Sequence, residues 1–175
     1  MRQKTCRVCK IKFQPQKPMQ PVCGIKCAIE DAKAIKKKDV RKADRKRKEE
    51  IKSKSELMKE AQFEFNRYIR LRDKDKPCIS CQRFHKGQMH AGHYISTGAA
   101  TELRFNEDNC HAQCAPCNNH LSGNPIKYRI NLIEKIGIER VERLEGPHPM
   151  PNWTKDDIRA IKAKYRKLLK LSNLK

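Results

Sequence analysis

Residues 89–96 read MHAGHYIS and residues 109–120 read NCHAQCAPCNNH. The first stretch carries two histidines three apart, His90 and His93, and with the preceding Gly87 and Gln88 it has the turn-then-strand look of a β-hairpin arm. The second carries Cys114 and Cys117, with Asn109 five residues before Cys114 and Asn118 directly after Cys117. A further pair, Cys78 and Cys81, stands upstream in PCISCQRF. Zinc favours thiolates, and a two-residue gap lets one turn present two sulfurs to one ion. The four cysteines Cys78, Cys81, Cys114 and Cys117 therefore predict one structural zinc site that ties together segments distant in sequence.

The same chemistry recurs at the start of the chain, where CRVCKIKFQPQKPMQPVCGIKC supplies Cys6, Cys9, Cys23 and Cys27. Pro15, Pro18 and Pro21 make the interval a turn-rich loop that needs a metal to order it, so residues 1–27 read as a four-cysteine zinc finger. Nine cysteines could instead form a disulfide scaffold. The opening MRQKTCRVCK has no apolar signal region, however, and no apolar run reaches membrane-spanning length. The expectation is no membrane association and a reducing cytoplasm, where closely spaced cysteines are metal ligands. Cys110, the unpaired thiol, reads as a small buried residue and not a ligand.

Lys and Arg number 41 against 20 Asp and Glu, a formal net charge of +21 over 175 residues. Such an excess points to a polyanionic partner, nucleic acid before membrane surface. The length allows one modest core with extensions. Residues 28–56, nearly devoid of large apolar side chains, read as a basic helical linker: a solvated helix or a fluctuating spacer, with non-specific phosphate contact as its functional alternative. Residues 57–175 form the third segment. There Leu57, Ala61, Phe65, Tyr68 and Ile69 make one apolar helical stripe, and Ile126, Ile130, Ile133 and Ile136 a second that ends near Gly137. Val141 and Leu144 mark a short helix. Thr154 and Asp157 cap a last helix that carries Ile158, Ile161, Tyr165, Leu168 and Leu169.

His93, Asn109 and Asn118, ordered around a cysteine knuckle, resemble the HNH or ββα-metal nuclease motif in a zinc-braced His-Asn-Asn form. The chemistry suits phosphodiester hydrolysis. A neutral His93 can act as general base, and a magnesium or manganese ion held partly by Asn118 would stabilise charge on the phosphate. Asn118 would be fixed at the start of the helix that completes the ββα unit, while Asn109 bridges the loop by hydrogen bonds. The motif usually has a metal ligand directly before the base, whereas Gly92 stands there. His90 is the substitute. Because residues three apart on a regular strand face opposite ways, a bulge at Ala91 or Gly92 would have to re-aim it; otherwise it faces solvent. His111 and His120 could touch phosphate or metal or be structural. His85 and His148 read as surface.

The wider pattern, CISCQ followed by AGHYISTGAATELRFNEDN, QCAPCNNHLSGNPIKYR and LIEKIG, behind a cysteine finger and a basic linker, is similar to the phage NinG recombination family, also called Rap. The resemblance covers essentially the whole chain and is densest from Pro77 to Gly137. It implies a structure-specific endonuclease acting on branched DNA such as Holliday junctions or D-loops, in the cytoplasm of an infected bacterium. The expected fold is α+β: a small zinc-braced ββα-metal core with surrounding helices, an N-terminal zinc finger and a long basic helix. The expected cofactors are two structural zinc ions and a catalytic Mg2+ or Mn2+. Symmetric junction cutting would call for a homodimer, although no apolar heptad marks an interface. The rival reading is a non-catalytic zinc protein that binds DNA in recombination.

Overall fold

The computed structural model describes residues 2–172. The chain divides into two compact units, Met1–Lys52 and Ser53–Lys175. Together they hold long helices and two small sheets, so the fold is a mixed helix-and-small-sheet one.

In the first unit two short strands, β1 (Lys4–Thr5) and β2 (Lys12–Phe13), pair antiparallel around the first cysteine knuckle. Helix α1 (Ile25–Ile51) then runs on from the second, with Cys27 in its first turn and no buried residue along its length. Its alanine, lysine and arginine content favours helix without an apolar face to bury. It stops at Lys52, whose backbone is extended (φ −51°, ψ 137°).

In the second unit Ser53 caps α2 (Lys54–Arg72) with a reciprocal box: Ser53 Oγ accepts from Glu56 N at 3.2 Å, and Glu56 Oε2 accepts from Ser53 N at 2.8 Å. The buried stripe of α2 is Leu57, Ala61, Glu64, Phe65 and Ile69. Strands β3 (Met89–His93) and β4 (Cys110–Cys114) pair antiparallel in unbroken register, from Met89 opposite Cys114 to His93 opposite Cys110. Three helices follow: α3 (Pro125–Ile136), α4 (Ile138–Glu145) and α5 (Lys155–Ser172). Gly137, at φ 85°, joins the first two and donates its N–H to Ile133 O at 2.8 Å, a left-handed position that suits glycine. Thr154 and Asp157 form the cap of α5, with Asp157 N donating to Thr154 Oγ1 at 3.2 Å.

The β3–β4 pair lies between two apolar layers. On one face Phe65 and Ile69 of α2 and Tyr165 of α5 pack on Cys110 and Ala91, continued by Leu57, Ala61 and Ile158. On the other, Tyr128, Leu132, Val141 and Leu144 of α3 and α4 pack with Ile79 and Leu103. Only half of the α3 isoleucine stripe packs: Ile133 and Ile136 lie against the core with the buried Tyr128 and Leu132, whereas Ile126 and Ile130 are 77% and 54% exposed. At about 100° per residue the real face is rotated away from Ile126 and Ile130. It is set by the Tyr128 hydroxyl, which donates to Gly92 O at 2.9 Å, and by Asn131 Nδ2, which donates to Ile79 O at 2.8 Å.

Candidate functional site

The two cysteine groups assemble as the spacing predicts. Within each set, Cys6–Cys9–Cys23–Cys27 and Cys78–Cys81–Cys114–Cys117, all four sulfurs lie within 4.8 Å of one another. Tetrahedral zinc with Zn–S near 2.3 Å separates sulfurs by about 3.8 Å. The measured separations of 3.6 Å for Cys9–Cys23, 3.6 Å for Cys23–Cys27 and 3.9 Å for Cys81–Cys114 fit that geometry. Burial opposes ionisation of Cys6 and Cys81. Backbone bonds at Cys9, Cys23 and Val8 nevertheless bring Cys6 down to about 6, and bonds from His85 and Arg83 do the same for Cys81. In return, Cys27 is pushed up to about 12, chiefly by its sulfur contact with Cys23, and Cys117 to about 12 by burial and then by Cys114. Each group thus favours the thiolate at one sulfur and opposes it at another, an opposition that a dication relieves. His85 belongs to this setting and not to the open surface, since its Nε2 lies 3.3 Å from Cys81 Sγ.

Asn109 is fully buried and fastens the loop between the strands. Its Oδ1 accepts from Ile95 N at 2.9 Å, and its Nδ2 donates to Ile95 O at 2.9 Å and Leu103 O at 3.3 Å. Asn118 sits in one wide turn, Pro116–His120, closed by Leu121 N donating to Pro116 O at 3.1 Å. It is therefore not at the start of α3, which begins only after Ser122, Gly123 and Asn124 reverse the chain with positive φ.

No bulge interrupts β3, so alternation along the strand decides who meets whom. His90 and Gly92 share the face that looks toward Asn118 and Gln113. His90 Nδ1 lies 3.4 Å from Asn118 Nδ2, and a β-carbon built on Gly92 would stand 3.0 Å from Asn118 Oδ1 and 2.1 Å from Gln113 Oε1. His93 points to the opposite face. Its Nε2 donates to Arg104 O at 3.0 Å, its ring stands 6.0 Å from that of Phe65, and Cys110 Sγ lies 3.7 Å from its Nδ1. The carbonyl fixes the tautomer: Nε2 carries the proton and Nδ1 the lone pair. Burial lowers the His93 pKa and outweighs the Arg104 carbonyl, so the ring is neutral at neutral pH. The structure therefore joins His90 to Asn118 and sets His93 across the sheet from both.

His111 is a structural histidine. Arg72 donates to its Nδ1 at 2.8 Å, so its Nε2–H serves Asp108 O at 3.1 Å. Arg72 also holds Asp73, a fully buried carboxylate that accepts from Ala112 N at 3.1 Å and is faced by Lys76 and Lys135. Despite burial, these partners hold the Asp73 carboxyl well below the usual carboxylate range. This network braces β4 against α2. No signature in the sequence announces it, because an Arg-Asp pair at a helix end is commonplace. His120 is exposed, and His148 Nε2 donates to Leu144 O at 3.1 Å.

Among the described residues no helix is long and apolar enough to cross a membrane. The family model described as "Bacteriophage Lambda NinG protein" matches residues 1–174. The chain is 49% identical over 124 residues to "Protein ninG" of Escherichia phage 933W, covering 71% of this chain and 62% of that protein. It is 48% identical to "Protein ninG" of Escherichia phage lambda, covering 71% and 61%, and 39% identical over 187 residues to that of Enterobacteria phage H19B, covering 96% and 93%. In the first two comparisons the chain spans less than two thirds of its relative. No solved structure matches it.

Proposed function

The chain belongs to the NinG family of phage proteins, and from that premise we propose that it is a metal-dependent endonuclease that cuts branched DNA during phage recombination in the host cytoplasm. The observation that carries this reading is the meeting of His90 and Asn118 over Gly92, on a β3–β4 pair and a wide turn that the second cysteine group joins through Cys114 and Cys117. We read this meeting as a ββα-metal-like site, with Asn118 and His90 as ligands for a magnesium or manganese ion. The donors fit such an ion: an amide oxygen and an imidazole nitrogen beside a buried oxygen that has no partner. When bound, the ion stabilises negative charge on the scissile phosphate and the leaving oxygen. Asn109 keeps the interstrand loop closed, and His93, neutral and with its Nδ1 lone pair free of a proton, takes the proton of the attacking water. Because His93 and Asn118 flank opposite faces of β3, the phosphate has to lie across the Gly92–His93 edge of the strand. The surplus of 21 positive charges supplies the attraction to a branched duplex.

One observation favours a second reading: His93 packs on Phe65 with the Cys110 thiol beside its Nδ1, as a structural histidine would. The protein would then be a zinc-dependent DNA binder without catalysis. Cleavage of a labelled four-way junction, beside linear duplex, with and without magnesium, decides between them. The nuclease reading expects magnesium-dependent cutting of the junction; tight binding with no cutting at any magnesium or manganese concentration rejects it.

A further inference from the structure

The side chain of Gln113 is fully buried on β4, and its orientation is settled by its neighbours. Gly123 O, which can only accept, lies 2.5 Å from Nε2; Ser80 Oγ, whose own hydrogen is directed to Gly123 O at 3.2 Å, accepts from the same nitrogen at 2.6 Å. Nitrogen must face these two acceptors, so Oε1 must face the other way. There it has no hydrogen-bond partner, alone among the buried side-chain nitrogens and oxygens of the described residues. A buried acceptor without a donor costs free energy and is retained where something else meets it.

What it faces is the Gly92 position. The point where a β-carbon would stand is 2.1 Å from Gln113 Oε1 and 3.0 Å from Asn118 Oδ1, and the Asn118 amide is turned so that its Nδ2 donates to Asn119 Oδ1 at 2.9 Å and lies beside His90 Nδ1. Any side chain at 92 would collide with Gln113. We propose that Gln113 Oε1 is a third ligand of the divalent ion, joining Asn118 Oδ1 and His90, and that it takes the place of the side chain Gly92 lacks. The inference rests on the metal-dependent reading above. Two amide oxygens and an imidazole form a neutral donor set for a hard dication, which leaves the ion's charge to be met by the phosphate it serves. Binding of the ion and of the DNA backbone thereby reinforce each other.

The test uses the full-length, zinc-loaded protein and Mn2+ alone, followed by loss of the free Mn2+ signal in electron paramagnetic resonance. Wild type should take up one Mn2+. Gln113→Leu should weaken that uptake about tenfold or more, with zinc content and melting temperature kept, because Gly123 O retains its Ser80 donor. Asn118→Ala should weaken it likewise. In wild type, the Gln113 side-chain carbonyl 13C resonance should move as Mg2+ is added, a readout that does not depend on any variant folding. If Gln113→Leu binds Mn2+ like wild type while Asn118→Ala does not, or the carbonyl resonance stays fixed at saturating Mg2+, Gln113 is no ligand and the His90–Asn118 site stands without it. If wild type takes up no Mn2+, the metal-dependent reading falls together with this inference.

Discussion

Around Cys6 and around Cys78 the chain makes the same turn. Lys10 N donates to Cys6 O at 3.0 Å and Cys6 N to Ile11 O at 2.9 Å; Gln82 N donates to Cys78 O at 2.9 Å and Cys78 N to Arg83 O at 3.1 Å. Lys10 and Gln82, the fifth residue of each turn, sit at φ 63° and 54°. The surroundings then diverge. In the first unit only Cys6, Pro15 and Val22 are buried among the described residues, and Cys9 and Cys23 are exposed. In the second, Cys78, Cys114 and Cys117 are buried and lie at the end of a strand that two apolar layers enclose. One turn thus serves two purposes. In the first unit a metal held by the four cysteines would replace a core, whereas in the second it would tie together segments that a core already holds.

The largest expected effect breaks the two groups one at a time. Apparent zinc affinities of about 10–16 kcal/mol match or exceed the whole stability of a small domain, about 5–15 kcal/mol. Cys23→Ser should therefore unfold the finger and fray α1, which buries nothing of its own, while amide protection of α2 and β4 persists. Cys114→Ser should strip protection from β3, β4 and the Pro116–His120 turn and release one zinc, with the hydrophobic packing of α2 on α5 the last to go. Hydrogen exchange with zinc counting reads both. Equal, chain-wide loss in the two variants would mean that the metal plays one role throughout.

Next come the residues that the second group positions. His93→Ala should leave junction affinity intact and lower cleavage by roughly 10²–10⁴, with no recovery at raised magnesium. Asn118→Ala should recover in part as magnesium or manganese rises. The pH profile supplies a further check. Burial lowers the His93 pKa, so the base is deprotonated at neutral pH, and kcat/KM should fall only as pH drops through a value below the ordinary 6.5. Wild-type cutting by His93→Ala would remove His93 as the base and put the proton acceptor elsewhere.

A chain starting at Ser53 tests the first unit's share and keeps the Ser53–Glu56 cap. It should cut junctions once bound but bind them more weakly, with the salt slope of log K shallower by about 0.9 for each phosphate that the first unit neutralises. An unchanged slope would make the finger and α1 a surface for something other than DNA.

How much of this was legible follows from range. The paired cysteines of each knuckle, the Thr154 cap and the end of α3 at Gly137 depend on residues a few positions apart, and the sequence displays them; that the knuckles join in fours follows from the chemistry of zinc. The parity of β3 was legible only as an alternative, a bulge that re-aims His90 or a regular strand that leaves it facing solvent; the strand is regular, yet His90 is half-buried and meets Asn118. Which of the two would meet Asn118 was not legible, because that depends on which layer lies over which face. The first half of the α3 stripe, Ile126 and Ile130, misled for the same reason, since Tyr128 and Asn131 are anchored by Gly92 and Ile79, far away in the chain. Gln113 gave no signal beyond its place on β4 opposite His90, diagonal to the glycine where a ligand was expected.

The smallest expected effect returns to the two long helices and their caps. Ser53→Ala removes the Oγ acceptor of the box that starts α2 while Ser53 N still donates to Glu56 Oε2, and such a loss costs about 1 kcal/mol, so the second unit should melt a few degrees lower with cleavage unchanged at moderate temperature. α1 starts at Gly24, which makes no side-chain cap. Its backbone is extended, at φ −169°, and a β-carbon there meets nothing within 4 Å. Gly24→Ser should therefore fit and cap the free amides of the first turn for a gain of a few tenths of a kcal/mol. If the metal at Cys27 already fixes that first turn, the gain should be visible only after the zinc is chelated, as slower loss of helical circular dichroism. A gain of the same size with zinc bound would show that the finger leaves the start of α1 loose, and the contrast between the two units would then be sharper than their cysteine geometry implies.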